Sequence, residues 1–148
     1  MSENAIGNKS TEFIRKNIEI GNLLGLKNLT ICSFSLDKDT GAVTIEACSR
    51  MHSATCPTCG AISWSVHSCY VRNVADLPIS GRTVTILLHT RRFRCPHPHE
   101  DGRKHVFSER HEAVGRYRRR TRRTEDLILR TALETSARKA EHMMSLQG

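Results

Sequence analysis

The segment Cys56-Pro57-Thr58-Cys59-Gly60 places two thiols close together, separated by two residues and followed by a glycine. Thiols at this spacing form a tight knuckle that can present both sulfurs to one tetrahedral metal ion. A closed zinc site needs four ligands, so the knuckle predicts two further ligands elsewhere in the chain. The chemistry that these residues predict is metal binding.

A second group of ligand side chains begins at Cys95, which is followed by three histidines, two of them each preceded by a proline. The prolines exclude a helix and favour a second knuckle. Thiolate and imidazole both bind zinc, at about 2.3 Å and about 2.0–2.1 Å respectively. We predict a zinc site with His99 as the fourth ligand, and His97 and His105 remain alternatives to it. The predicted metal ligands are Cys56, Cys59, Cys95 and His99.

The zinc predicted here is structural, because four protein ligands leave no position open for water. A thioredoxin-like dithiol is the other common use of this cysteine spacing, but it requires a strand-to-helix junction. Strand-like sequence follows the knuckle, which argues against that use. The other three cysteines, Cys32, Cys48 and Cys69, lie inside predicted strands, where we expect buried structural thiols.

Most of the elements that position these ligands are predicted strands. The segments NLTICSFSL and AVTIEACS are rich in β-branched and apolar residues and flank the turn-like DKDTG, so residues 29–48 are predicted to form a β-hairpin. Residues 63–74 are predicted to be extended, and DLPISGR to end that strand. The segment TVTILLHTRRFRC then predicts a second long strand, which leads into Cys95.

Helices are predicted only towards the two ends of the sequence. A short helix is expected from Thr11 to Leu24, and two more in the tail, the second from Ser136 to Leu146. The fold class is therefore α+β: a small β-rich, zinc-ribbon-like domain followed by a short helical tail. The predicted division is 1–25 (segment with a short helix), 26–112 (β-rich zinc-finger domain) and 113–148 (Arg-rich helical tail).

The positive charge of the chain is concentrated in one segment. The formal net charge is +8, from 23 Lys and Arg against 15 Asp and Glu. Residues 91–123 hold 12 of the basic residues and four of the acidic ones, which accounts for the whole excess. Such a concentration predicts a surface that binds a polyanion.

Neither export nor a membrane span is predicted. The sequence has no apolar run of the length that crosses a bilayer, and the first residues lack the basic and apolar regions of a secretory signal. Six cysteines without an export signal favour reduced thiols or metal ligands over disulfides. We therefore expect a cytoplasmic protein with no membrane partner.

Several motifs occur in an order that is typical of one protein family. The motifs are CPTCG, the stretch from Ser63 to Arg72, Asp76-Leu77-Pro78 with Gly81, RRFRC from Arg91 to Cys95, and Phe107 to Arg110. In this order the motifs resemble the N-terminal zinc-finger region of the ISL-three-type bacterial insertion-sequence transposases, over about residues 20–145.

Two departures from this family bear on what the resemblance implies. Family members carry another cysteine shortly after the one that matches Cys95, where this chain has His99 and Glu100. Full members also continue through a helix-turn-helix into a catalytic domain of the DDE class. The resemblance therefore implies a chain truncated within the helix-turn-helix, without that catalytic domain and not an enzyme.

The function expected from the charge and the resemblance together is that of a zinc-binding DNA-binding module, which in the intact family recognises transposon ends. The alternative is a protein-interaction zinc ribbon that pairs with itself or modulates a full-length transposase. Tyr70 and Arg72 either add to the DNA surface or serve as a core tyrosine and a surface arginine. The predicted DNA contacts are Arg91, Arg92, Arg94, Arg116, Arg118, Arg119, Arg120, Arg122 and Arg123.

Overall fold

The computed structural model describes residues 15–100 and 102–145. It confirms the α+β class, with a β-rich body and a long helix after it. The predicted helix from Thr11 to Leu24 is described only from residue 15 onward. In chain order the elements are α1 (residues 15–23), β1 (Leu29–Leu36), β2 (Val43–Ser49), β3 (Ala54–Thr55), β4 (Ile62–Ser63), β5 (Val66–Ile79), β6 (Arg82–Pro98), β7 (Lys104–Ser108) and α2 (Arg122–Ser145).

Five strands form one sheet in the order β1-β2-β6-β5, with β7 also paired to β6. The predicted hairpin is confirmed, since β1 and β2 pair antiparallel from Leu29–Ser49 to Leu36–Val43. Its turn is held by Asp37, whose Oδ1 accepts hydrogen bonds from the backbone N–H groups of Asp39 and Thr40, both at 2.9 Å. Strand β2 pairs parallel with β6. Strands β5 and β7 also pair with β6, both antiparallel. The short strands β3 and β4 form a separate two-stranded sheet.

The second long hairpin extends further than the sequence predicts. The segment expected to end the first strand belongs to β5, and the turn itself lies at Ser80 and Gly81. Pro78 is tolerated in the strand because the β5–β6 register shifts between Asp76 and Ile79. At such a bulge the missing N–H of proline removes no ladder hydrogen bond. Strand β7 was not expected from the sequence.

Strand β6 buries opposite faces in its two halves. Its even-numbered residues from Val84 to Thr90 are buried, whereas Phe93 and Cys95 are the buried residues further on. Since successive side chains of a strand point to opposite faces, the two halves contribute to cores on opposite faces of one sheet. The first core consists of Leu26, Leu29, Ile31, Val43, Ile45, Ala47, Val74, Val84, Ile86, Leu88, Ala113 and Val114, and the second of Cys56, Phe93, Cys95 and Phe107.

The expectation of buried thiols within the strands is wrong for two of the three cysteines. Cys32 and Cys69 are exposed, and Cys48 is half-buried. In β1 the buried residues are Leu29 and Ile31, so Cys32 points to the opposite, exposed face of the strand. Its sulfur lies 3.2 Å from the sulfur of Cys48 on the adjacent strand.

The tail forms one helix where the sequence predicts two. Helix α2 runs without a break from Arg122 to Ser145, so the expected turn before Ser136 is absent from the described tail. Thr135 lies at that point, and its hydroxyl donates to the helical carbonyl of Thr131 at 2.8 Å. Residues 126–139, 141 and 142 of the helix are exposed. None of the described helices has the length and apolar character needed to cross a membrane.

Candidate metal centre and basic surface

The first knuckle is closed by two backbone hydrogen bonds. The N–H of Gly60 donates to the carbonyl of Cys56 at 3.0 Å, and the N–H of Cys56 donates to the carbonyl of Ala61 at 2.8 Å. Gly60 has a φ of 74°, in the left-handed region that residues with a Cβ rarely occupy. The glycine therefore lets the chain reverse immediately after the two thiols.

The second ligand pair comes from the end of β6 and the turn that follows it. Cys95 is buried near the end of the strand, and His99 lies just beyond it. The N–H of Gly102 donates to the carbonyl of His99 at 2.8 Å, and the N–H of His99 donates to the carbonyl of Arg103 at 3.0 Å. This turn directs the chain back from β6 into β7 and places His99 beside the first knuckle.

The four side chains predicted as metal ligands come together in the structure. Their ligand atoms all lie within 4.8 Å of one another. The Sγ of Cys56 is 3.8 Å from the Nε2 of His99, and the Sγ of Cys59 is 3.4 Å from that of Cys95. A tetrahedral zinc ion with ordinary bond lengths separates neighbouring ligand atoms by about 3.5–3.8 Å. The cluster is therefore suited to hold a zinc ion.

The structure distinguishes among the three candidate histidines. His99 contributes to the cluster, and His97 is exposed. The ring of His105 packs edge-on against that of His99, with the ring centroids 4.6 Å apart. His105 is thus placed to contact the fourth ligand rather than to replace it.

The knuckle favours the thiolate form of one of its cysteines. Burial alone would raise the pKa of Cys56, but hydrogen bonds from the backbone N–H groups of Cys59 and Thr58 outweigh it and lower the pKa to about 6. Burial raises the pKa of Cys95 to about 11. A bound zinc ion deprotonates its thiol ligands outright, so it would replace the proton on Cys95.

The small second core packs next to the metal ligands and includes two of them, Cys56 and Cys95. Phe93, two residues before Cys95 on β6, stacks against Phe107 of β7 with ring centroids 6.1 Å apart. The hydroxyl of Ser63 donates to the carbonyl of Arg94 at 2.6 Å and attaches the two-stranded sheet to β6. Both knuckles are therefore attached to the same rigid strand.

A substitution at Gly60 should weaken zinc binding without removing a ligand. A Cβ at this position meets no atom within 4 Å, so Gly60→Ala should cost only backbone strain, about 1–2 kcal/mol. We expect zinc to be retained but to be released to a competing chelator at about 5–30-fold lower chelator concentration. The matched control is Gly81→Ala, with the same φ of 74° and the same free space in the β5–β6 turn. It should lower thermal stability and leave zinc affinity unchanged.

Two of the arginines predicted to contact DNA are engaged in ion pairs with buried carboxylates, and a third, the exposed Arg118, lies 3.7 Å from a carboxylate oxygen of Glu125. The first is Arg91, whose side chain donates to both carboxylate oxygens of Glu109, at 3.2 and 2.7 Å. Glu109 also accepts the backbone N–H of Arg91 at 2.7 Å and lies beside the buried His111. This pair joins β6 to the segment after β7, so Arg91 has a structural role.

The second is Arg123, in the first turn of α2. Its guanidinium donates to both oxygens of Asp76, whose side chain is fully buried. Asp76 also accepts a hydrogen bond of 2.6 Å from the hydroxyl of Thr121, the residue that precedes the helix. Burial alone would raise the pKa of Asp76, but the hydrogen bonds from Arg123 and Thr121 prevail and lower it. This network attaches α2 to the sheet.

Sequence reasoning did not identify the two acidic partners. A signal was present for one of them, because Asp76 is the sole carboxylate between Glu46 and Glu100. An isolated acid in a basic stretch often marks a buried ion pair. Its arginine partner lies 47 residues further on, however, and only the fold brings the two together.

The other seven predicted arginines have exposed side chains, in two places. Arg92 and Arg94 lie on β6, and Arg92 stacks over the ring of Tyr70 at 4.9 Å. The remaining group lies along the edge of β5, where the N–H of Ala75 donates to the carbonyl of Arg119 at 2.8 Å. This second group, the edge arginines, consists of Arg116, Arg118, Arg119, Arg120 and Arg122.

One comparison with known proteins gives a match. Residues 52–99 match the family described as the zinc-finger of transposase IS204/IS1001/IS1096/IS1165. The match begins just before the first knuckle and ends at His99, so it spans all four residues of the metal cluster. No curated protein and no solved structure matches the chain. The resemblance inferred from the sequence is thus confirmed for this segment, which corresponds to a zinc finger and not to a catalytic domain.

Proposed function

We propose that this protein is a zinc-dependent DNA-binding module of the kind that recognises transposon ends in an intact transposase. The observation that carries the proposal is the pairing of a zinc-finger segment with seven exposed arginines on its own sheet and at the sheet edge. Zinc would hold the two knuckles together, and β6 would position the arginines relative to them.

The electrostatics of the matched segment favour an anionic partner. Within residues 52–99 the single acidic residue is Asp76, which is buried against Arg123. The exposed surface of this segment therefore carries arginine charge with no carboxylate to balance it. Such a surface attracts the phosphates of nucleic acid and repels other cations.

The roles assigned to zinc and to the buried carboxylates are structural. The cluster supplies four protein ligands, which leaves no coordination position for water or substrate. Asp76 and Glu109 each neutralise an arginine within the fold. We infer that the chain binds DNA rather than cuts it, and that it works in a reducing compartment such as the cytoplasm, where its thiols stay available to the metal.

Binding to a DNA duplex should depend steeply on salt. If the exposed arginines contact about six phosphates, the logarithm of affinity should fall with a slope of about −5, or roughly a thousandfold between 50 and 200 mM salt. The double variant Arg119→Ala, Arg120→Ala should flatten that slope by about 2. Fluorescence anisotropy with a labelled duplex measures both quantities.

The control removes the same charge from two turns of the sheet that carry none of the predicted DNA contacts. Lys38 and Arg82 lie at the β1–β2 and β5–β6 turns, and the guanidinium of Arg82 reaches the carbonyl of Gly41 at 3.5 Å. The double variant Lys38→Ala, Arg82→Ala should bind like the wild type. Equal losses in both double variants would show that net charge alone drives binding, and would contradict the proposed surface.

A protein-interaction role is the second candidate, favoured by the exposed apolar side chains of α2. Leu129 and Leu133 are 59% and 62% exposed, one helical turn apart. A helix with such side chains could pair with a second copy or with a full-length transposase. Sedimentation across a salt series separates the candidates, since an apolar interface persists as salt rises whereas arginine–phosphate contacts weaken.

A further inference from the structure

Tyr117 is an exposed aromatic residue in a backbone conformation that tyrosine disfavours. Its side chain is 83% exposed, and its φ is 59°. In this left-handed region the Cβ of an L-residue crowds the following carbonyl, so glycine or asparagine is the usual occupant. The tyrosine is therefore explained neither by burial of its ring nor by a preference for this backbone conformation.

The turn that contains Tyr117 is held closed by the fold. The N–H of Arg118 donates to the carbonyl of Gly115 at 3.2 Å, which places Arg116 and Tyr117 at the tip. Arg72 of β5 spans the turn, because one of its nitrogens donates to the carbonyls of Gly115 and Arg118, at 3.1 and 2.7 Å. Arg72 is therefore a structural residue that stabilises the disfavoured conformation.

The segment after the turn is also attached to β5. The N–H of Ala75 donates to the carbonyl of Arg119, and the N–H of Thr121 donates to the carbonyl of Ala75 at 3.0 Å. The ring is oriented by its neighbour, since the guanidinium of Arg116 lies 4.7 Å from the ring centroid and donates to the phenol oxygen at 2.8 Å. The ring is thus presented to solvent from a rigid support.

The surroundings of the ring indicate what it binds. It lies within the edge arginines, which supply phosphate-binding charge on both sides of it in the chain. Aromatic rings next to a basic backbone-binding surface stack on nucleobases, and arginine over the ring adds a cation–π contribution. In a closed duplex both faces of each base are covered by neighbouring bases, so a base that can stack on a side chain must be unpaired.

We propose that Tyr117 stacks on an unpaired base of the bound nucleic acid, such as a base in a single-stranded overhang. The proposal rests on the proposed DNA-binding function and adds a preference within it. The arginines contact phosphates of any strand, and the tyrosine favours the junction where a duplex ends in an unpaired strand. Arg72 fixes the turn and Arg116 contacts the ring before binding, so less conformational freedom is lost on stacking.

The test compares two labelled oligonucleotides, a blunt duplex and the same duplex with a five-nucleotide single-stranded overhang. The wild type should bind the overhang substrate more tightly. Tyr117→Asn removes the ring and places a residue that tolerates this conformation. It should lose about 5- to 150-fold in affinity for the overhang substrate, while blunt-duplex affinity changes less than twofold. Tyr117→Phe keeps the ring and should retain the preference.

Thermal melting separates a stacking role from a structural one. Because asparagine relieves the backbone strain, the Tyr117→Asn variant should melt no lower than the wild type; a lower melting temperature would mean that the ring supports the fold, and would overturn the proposal. Equal wild-type affinity for the two oligonucleotides would also overturn it and leave the DNA-binding function standing. Failure of the wild type to bind either oligonucleotide would overturn the DNA-binding function itself.

Discussion

Replacing Cys95 by serine is expected to abolish zinc binding and to unfold the zinc-finger segment. Cys95 is buried and belongs both to the metal cluster and to the small second core. That core contains two phenylalanines and two of the ligand cysteines, so it has little apolar area to stabilise the knuckles without metal. Zinc binding contributes about 10–16 kcal/mol in finger-sized peptides, more than the whole stability of many small domains.

Elemental analysis of the purified chain should find about one zinc per chain in the wild type and none in Cys95→Ser. Amide hydrogen exchange should show lost protection around the knuckles, with the sheet near Leu88 less affected because it belongs to the first core. The matched control is Cys69→Ser, which alters an exposed thiol outside the cluster. If Cys95→Ser contained as much zinc as the wild type, the zinc would be bound at a site that does not include Cys95.

The same measurement identifies the fourth ligand. His99→Ala should lower the zinc content of the purified chain strongly, and His99→Cys should restore it, because thiolate is an equally good zinc ligand. His97→Ala should have no effect, since that side chain is exposed and outside the cluster. A loss of zinc on His97→Ala with retention in His99→Ala would contradict the geometry of the second knuckle.

Removing the carboxylate of Asp76 should detach α2 from the sheet. The variant Asp76→Ala leaves the partly buried guanidinium of Arg123 without its carboxylate, and the buried hydroxyl of Thr121 with the hydroxyl of Thr124 as its remaining partner. Breaking one side of a buried ion pair costs about 3–5 kcal/mol. Hydrogen exchange at neutral pH should show faster exchange in the first turn of α2. The control Asp126→Ala removes an exposed acid just beyond the first turn and should leave exchange unchanged.

The direction of the Asp76 pKa shift gives the pH dependence of this attachment. The hydrogen bonds lower the pKa in the folded state, so the ion pair contributes fully above the unfolded pKa of about 3.9. That contribution is lost as the pH falls through the lower, folded-state pKa. The melting temperature of the wild type should therefore fall more steeply between pH 5 and pH 2 than that of Asp76→Ala, and parallel curves would contradict the role assigned to Asp76.

The metal cluster and the hairpins could be predicted because their signals are local. Two cysteines separated by two residues, followed by a glycine and then by strand-like sequence, favour a zinc knuckle. Alternating and β-branched residues predict strands in the same way, and a turn such as the one at Asp37 terminates them. The helix start predicted at Ser136 was wrong, because α2 continues through this residue. A serine is tolerated inside a helix when the backbone N–H to carbonyl hydrogen bonds continue on both sides of it.

The sequence shows where the arginines are concentrated, but the role of each arginine could not be assigned from it. Arg91 and Arg123 resemble the neighbouring arginines in type and spacing, yet each meets a buried carboxylate. Whether an arginine faces solvent or an acid depends on strand register and on the path of the chain after β7. These are long-range properties that a local pattern does not contain.

By itself, the sequence determined the ligand types, the strands that carry them, and a basic segment suited to a polyanion, because short-range spacing and composition decide such features. Only the tertiary structure decided that His99 completes the cluster, that β6 serves two cores, and that Arg72 holds the turn at Tyr117. Each of these depends on contacts between residues far apart in the chain, whose geometry follows from the packing of the whole sheet.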